Sequence, residues 1–196
     1  FGRTFRSIGD SLPRGGPDYL HVVREDPVNR DLLFAGSDVA AYVSLDRGAS
    51  WRRFMTGLPS VPVHDLQIHP RDHELIAATH GRSIWIVDIA PLEQLTRDVL
   101  ARSAQLFQPT TAYQYGEVLA GGGSIGHKAF RAPSPAYGAA TPYPLTTGEP
   151  RAQGKVAITD GRGDTGQTLR GPGRPGLPRG NWNLPGPPPP PRPSRS

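Results

Sequence analysis

The chain has 196 residues, with 24 glycines, 23 prolines, no cysteine and a formal charge of +5. The lack of thiols excludes a disulfide framework and any thiolate metal site, and no apolar run reaches the roughly 18 residues of a membrane span. Residues 1–100 carry 11 Arg against 13 acids, whereas residues 101–196 carry 9 Arg and 2 Lys against 4 acids, so the positive charge belongs to the second half. Those cations lie singly among Gly and Pro, without a helical face or interleaved aromatics, and do not point to nucleic acid. The 20 Arg against 2 Lys are read as biased codon usage. A start at Phe1 rather than Met is read as a fragment or processed product in which no signal peptide is seen.

The first ninety residues repeat. "VVREDPVNRDLLFAGSDVAAYVS" (Val22–Ser44) aligns with "LQIHPRDHELIAATHGRSIWIV" (Leu66–Val87), matching Pro27 with Pro70, Leu32 with Leu75, Ala35 with Ala78 and Tyr42 with Trp85 at a spacing of 43. A second register of 46 sets "TFRSIGDSLP" (Thr4–Pro13) on "SWRRFMTGLP" (Ser50–Pro59), pairing Phe5 with Trp51. Within a unit, "YLHVVRE", "DLLFAGS", "AAYVSLD" and "SWRRFM" read as short strands rich in β-branched and aromatic residues. Asp26-Pro27, Asn29-Arg30-Asp31 and Gly36-Ser37-Asp38 supply the turns between them. Four strands per period of 40–45 residues is the arithmetic of a β-propeller blade. An apolar spacing of two and the Asp-Pro and Gly breaks oppose a helical repeat.

"SLDRGASW" (Ser44–Trp51) falls between the third and fourth strands, where a hairpin must form. Asp46 can accept backbone N–H bonds from the residues that follow, Gly48 supplies a left-handed backbone position, Ser50 can tie the far side, and Trp51 brings a ring to pack against a neighbouring blade. This stretch resembles the Asp-box of bacterial-neuraminidase-type repeats, S-x-D-x-G-x-[ST]-W, on Ser44, Asp46, Gly48, Ser50 and Trp51. "FGRTF" (Phe1–Phe5) is similar to the end of a preceding box. "LLFAGSDVAAYVSLDRGASW" followed by "LIAATHGRSIWIVD" resembles the sortilin-type, glycosyl-hydrolase-like propellers of secreted bacterial proteins. The resemblance spans Phe1 to about Leu100. It implies a mainly β chain opening on the last two blades of a propeller (1–90), secreted or periplasmic, with the other blades of a longer chain as partners. In that family the box lies at the blade periphery, which makes Asp46 a turn residue.

"APLEQLTRDVLARSA" has Leu92, Leu95, Val99 and Leu100 at helical spacing, with Pro91 suited to a first turn and Thr96 to an N-cap. "AQLFQP" alternates like one more strand. With the Gly121–Ser124 linker, which lacks the Gly-Lys-Ser/Thr of a phosphate loop, these form a connector over 91–136. "KVAITDGRGDTGQTLRGPGRPGLPRGNWNL" (Lys155–Leu184) resembles the last hairpins of the FlgD-like immunoglobulin-type domain. That resemblance implies a small partial β-sandwich over 137–184, with Asp160-Gly161 as a hairpin turn and Trp182 as a core anchor. Arg162-Gly163-Asp164 spells an adhesion tripeptide of residue types the turn already needs. "PGPPPPPRPSRS", in 185–196, reads as a disordered polyproline II tail.

Two functions compete. The first is a secreted interaction module whose propeller face binds carbohydrate or an extracellular protein or peptide. The second is a glycoside hydrolase of sialidase or xyloglucanase type, with its main catalytic residues upstream. The loops that meet ligands in propellers here carry Asp38, His64, Asp65, His80 and Arg82. Arg82 suits an anionic sugar. Asp38 and Asp65 are the candidate acid–base pair, and a glycosidase holds such a pair about 5–9.5 Å apart. The same two residues also suit turn caps, and His80-Gly81-Arg82 a blade corner. His64, His69, His73 and His80 follow no metal-ligand spacing. No cofactor motif is present.

Overall fold

A computed structural model describes residues 2–13, 18–112, 138–148 and 153–184, and the chain divides into two compact units, Phe1–Ser103 and Ala104–Ser196. The Gly121–Ser124 linker and the polyproline stretch from 185 lie outside the described residues. Among those residues the secondary structure is mainly antiparallel β.

The first sheet is a four-stranded meander of β1 (Leu20–Glu25), β2 (Leu33–Ser37), β3 (Ala41–Ser44) and β4 (Arg52–Arg53), paired in that order. Its turns are built from the short polar side chains that the sequence puts there. Asp26 Oδ1 accepts from the N–H groups of Val28 and Asn29 at 2.9 and 2.7 Å, reversing the chain after β1. Ser37 Oγ accepts from Val39 and Ala40 N–H, each at 3.2 Å, and closes the β2–β3 turn. Strand β4 is far shorter than "SWRRFM" suggests. Only Arg52 and Arg53 join the ladder, opposite Val43 and Tyr42, because Phe54, Met55 and Leu58 then turn inward against the core.

A second meander holds β5 (Val63–His69), β6 (Glu74–Thr79) and β7 (Ile84–Asp88). Strands β5 and β7 begin 43 residues after β1 and β3, the period of the sequence repeat. The two sheets share a core of Val22, Phe34, Val63, Leu66, Leu75 and Ile89. Successive strand residues face opposite sides, so Leu33 and Ala35 of β2 pack the other way, with Tyr42, Trp51 and Ile8. Strand β2 is therefore buried throughout. Burying a side chain the size of Phe34 contributes about 1.5–3 kcal/mol.

Two four-residue helices close this unit. In α1 (Ala90–Glu93) Pro91 occupies the first turn, and α2 (Arg97–Leu100) is capped by Thr96, whose side chain accepts from Val99 N–H at 3.4 Å. Helix α1 buries Ala90, Pro91 and Glu93. Among the described residues no helix is long and apolar enough to cross a membrane.

The second unit has two small antiparallel pairs: β8 (Ala139–Pro142) with β11 (Arg179–Trp182), and β9 (Gln153–Thr159) with β10 (Thr165–Pro172). No strand forms around Phe107, where one was expected: the segment makes an isolated bridge from Ala104 to Leu145 and bonds Phe107 N–H to Pro142 O at 3.1 Å and Gln105 N–H to Pro144 O at 3.3 Å. Tyr143, not Trp182, is the buried aromatic next to the hairpin, because Trp182 lies on a two-stranded ribbon and stays half-exposed. Gly154 and Gly171 are register partners, and Tyr143 occupies the space a side chain on Gly171 would need. The β9–β10 connection is a five-residue loop, Asp160–Asp164. In it Asp160 Oδ1 accepts from Arg162 and Asp164 N–H, and Gly163, not Gly161, takes the positive φ of 92°.

Candidate functional site

Asp46 sits at the centre of a closed set of short hydrogen bonds. Its Oδ1 accepts from Ser44 Oγ–H and Ser50 N–H, both at 2.8 Å, and its Oδ2 accepts from Ser50 Oγ–H at 2.5 Å. Ser44 Oγ in turn accepts from Gly48 N–H at 2.8 Å. Arg47 and Gly48 take φ of 60° and 81°, the left-handed pair that lets the chain double back. Trp51 Nε1–H donates to Ile8 O at 2.6 Å, and its ring packs on Ile8, Leu12 and Tyr42, within its own sheet and the segment before it. Burial weakens the acidity of Asp46, but the Ser50 and Ser44 bonds outweigh it and hold the carboxyl below the usual range. Both its oxygens accept hydrogen bonds from within the turn.

The ligand candidates divide in two. Asp38, in the β2–β3 turn, has Oδ1 2.7 Å from Nε2 of His21 at the start of β1. The His21 ring meets His64, at the start of β5, with centroids 4.5 Å apart, and His64 meets His80, after β6, at 5.3 Å. Three imidazoles and one carboxylate thus form a row drawn from both sheets. Arg82 is exposed two residues beyond His80. The turn carrying both is pinned by His80 N–H to Pro62 O and by Thr79 to Ser83 O.

Asp65 belongs elsewhere. Its Oδ1 accepts from Arg24 Nη2 and from its neighbour Leu66 N–H, each at 2.9 Å, while Arg24 Nε–H reaches Leu66 O at 2.7 Å. The structure therefore does not give Asp38 and Asp65 one shared partner. Both are stronger acids than usual. The His21 hydrogen bond lowers Asp38, and the Gln67 hydrogen bond lowers Asp65, with Arg24 adding to it.

His21 escaped the sequence reading, although the repeat contains it. The β1–β2 register slips between Leu20 and Val22, and the β5–β6 register slips between Val63 and Asp65. His21 and His64 are therefore the bulge residues of equivalent strands, 43 positions apart. A bulge re-aims the side chain it carries, which brings the two rings together. Among the described residues no group of three His, Cys, Asp or Glu is arranged to hold a metal ion. Arg162 and Asp164 are exposed in the β9–β10 loop.

Comparison of the chain with protein-family models, curated proteins and solved structures returns no match.

Proposed function

We propose that this chain is part of a secreted or periplasmic bacterial β-propeller that binds a carbohydrate or peptide ligand, without catalysis, on the face carrying His21, Asp38, His64 and His80. The observation that carries this reading is the convergence of those four side chains from equivalent ends of two consecutive meanders. The position fits the ligand-facing end of propeller blades. The open β7 edge, which carries exposed Ile84 and Ile86, fits a blade awaiting its outer strand. Two blades cannot close a ring, so the reading calls for further sheets from a longer parent. The second unit would be an immunoglobulin-type spacer.

The hydrolase alternative is weaker for a chemical reason. A glycosidase needs one carboxyl that keeps its proton near neutral pH, and both Asp38 and Asp65 are shifted the other way. The test is a panel of neutral and acidic oligosaccharides, peptides and aryl glycosides. Saturable binding without turnover, reduced by His64→Gln and His80→Gln, is expected. Turnover that disappears in both Asp38→Asn and Asp65→Asn would overturn the binding-module reading.

A further inference from the structure

We propose that the imidazole row is a proton-gated receptor for an oxyanion carried on a sugar chain, binding more tightly as the pH falls below neutral. This rests on, and sharpens, the reading of this face as a ligand surface.

The row carries unspent donors. His64 and His80 are exposed, and their ring nitrogens make no hydrogen bond among the described residues; each only touches the next ring. The Arg82 guanidinium likewise has no partner among those residues. The one carboxylate of the row, Asp38, is already engaged by His21 and, more weakly, by Tyr19 N–H at 3.4 Å. Of the other charged or titratable groups on the flanking strands, Arg24 of β1 and Asp65 of β5 pair with each other at 2.9 Å, Glu25 lies 3.6 Å from Arg30, and His69 lies 3.3 Å from Asp72.

Histidine is the side chain that gains charge between about pH 8 and 5. Protonating His64 and His80 therefore adds positive charge on rings 5.3 Å apart, with Asp38 as the carboxylate of the row that partly offsets it. Two imidazolium ions at that spacing repel, and an oxyanion bridging them relieves the repulsion while accepting their N–H groups. Binding and proton uptake are then reciprocal. Asp38 opposes the anion, and its charge is offset by His21 next to it and by His64 beyond.

A sugar suits the surroundings better than a peptide. Tyr19 is 70% exposed and tied to Asp38 through both its N–H and its carbonyl, so an open ring stands next to the row. Peptide capture by strand addition uses a free strand edge. This row instead presents imidazole and phenol side chains, whereas strand addition would use the outer edges of β1 and β5, which pair with β2 and β6 on one side only.

The experiment titrates the full chain with trigalacturonate, a sulfated disaccharide, neutral galactotriose and hexaglutamate at pH 5.5 and 7.5, first with EDTA present and then without it. The expected result is that an acidic sugar binds about tenfold or more tightly at pH 5.5, with net proton uptake seen as a buffer-dependent heat. The neutral sugar should show no such gain, and whichever acidic sugar responds more names the oxyanion. The double variant His64→Gln/His80→Gln should lose the pH response at an unchanged melting temperature. Asp38→Asn should strengthen binding at pH 7.5.

Saturable sugar binding that ignores pH and survives in the double variant would overturn the gate while leaving a ligand face. A pH response from hexaglutamate and from neither sugar would overturn the sugar assignment. Acid-enhanced sugar binding seen only after EDTA is removed would overturn the proton mechanism in favour of a metal. No saturable binding of any probe at either pH would overturn the ligand-face reading itself.

Discussion

His73 Nδ1 lies 2.6 Å from Glu93 Oε2, joining the turn between β5 and β6 to helix α1. Asp26, from the turn after β1, completes the group and is 1% exposed. Its Oδ1 is satisfied by backbone N–H groups, but Asp26 Oδ2 and Glu93 Oε1 are buried without a donor among the described residues. Burial first, and then the charge of Asp26, push the Glu93 carboxyl above the usual glutamate range, with His73 pulling the other way. Burial therefore favours the neutral form of the Glu93 carboxyl.

Stability should therefore decline as the pH rises past the ordinary glutamate range. A carboxyl that is a weaker acid folded than unfolded contributes fully below its unfolded pKa, and the contribution fades through the higher folded value. Glu93→Gln carries a permanent donor where the proton sits, so its melting temperature should fall less than that of the parent between pH 4 and 8. Parallel melting curves would refute the upward shift of Glu93. His73→Ala should destabilise the protein, because it removes the group that pulls the Glu93 carboxyl down.

Asp46 has the opposite sign. Its carboxyl is a stronger acid folded than unfolded, so its stabilisation is present above the ordinary aspartate range and is lost as the pH falls through the folded value. Asp46→Ala should lower stability at pH 6 by about 1–2 kcal/mol, the scale of losing bonds to a partly exposed charged acceptor. The gap from the parent should narrow at pH 3. Urea titrations at the two pH values measure both effects.

Gly36→Ala tests the contact between the two sheets of the first unit. A Cβ there would stand 2.5 Å from the Val63 carbonyl oxygen and 2.9 Å from Val22 Cγ1, so β2 and β5 would have to separate. Overpacking of this kind costs about 1–3 kcal/mol. The denaturation midpoint should drop accordingly. A midpoint matching the parent would mean that the sheets are not held this closely.

Strand β7 should make the protein associate with itself. Ile84, Trp85, Ile86 and Val87 are 65%, 38%, 60% and 41% exposed on a strand that, among the described residues, pairs on one side only, and such edges template further pairing. Ile86→Lys should shift sedimentation toward the monomer at unchanged melting temperature. Identical sedimentation of the two proteins would count against this.

Features set by neighbouring residues were legible in the sequence. The turns at Asp26, Ser37 and Asp46, the Thr96 cap of α2 and Pro91 in the first turn of α1 depend on residues within four positions, so residue types alone locate them. The starts of β5 and β7 followed from the repeat. The length of β4 did not, because Phe54 and Met55 satisfy a strand pattern equally well when they turn into the core. Phe5, paired with Trp51 in the repeat, is 91% exposed, whereas Trp51 is buried against Ile8 and Tyr42. Likeness of type did not carry likeness of surroundings. The candidate site was half legible. Asp38, His64 and His80 were singled out, but His21 becomes meaningful only through contacts 17 and 43 residues away, and Asp65 is diverted by Arg24 from a distant strand.

The bonds that centre on Asp46 connect residues no more than four positions apart. Closing so small a loop takes well under a microsecond and little chain entropy, and it needs no distant strand to be in place. The corner between β3 and β4 can therefore form early and be waiting when the slower pairing of β1 with β2 arrives. In kinetic terms, damage at Asp46 should slow folding more than it hastens unfolding. The same aspartate would then set how quickly the first sheet finds its register.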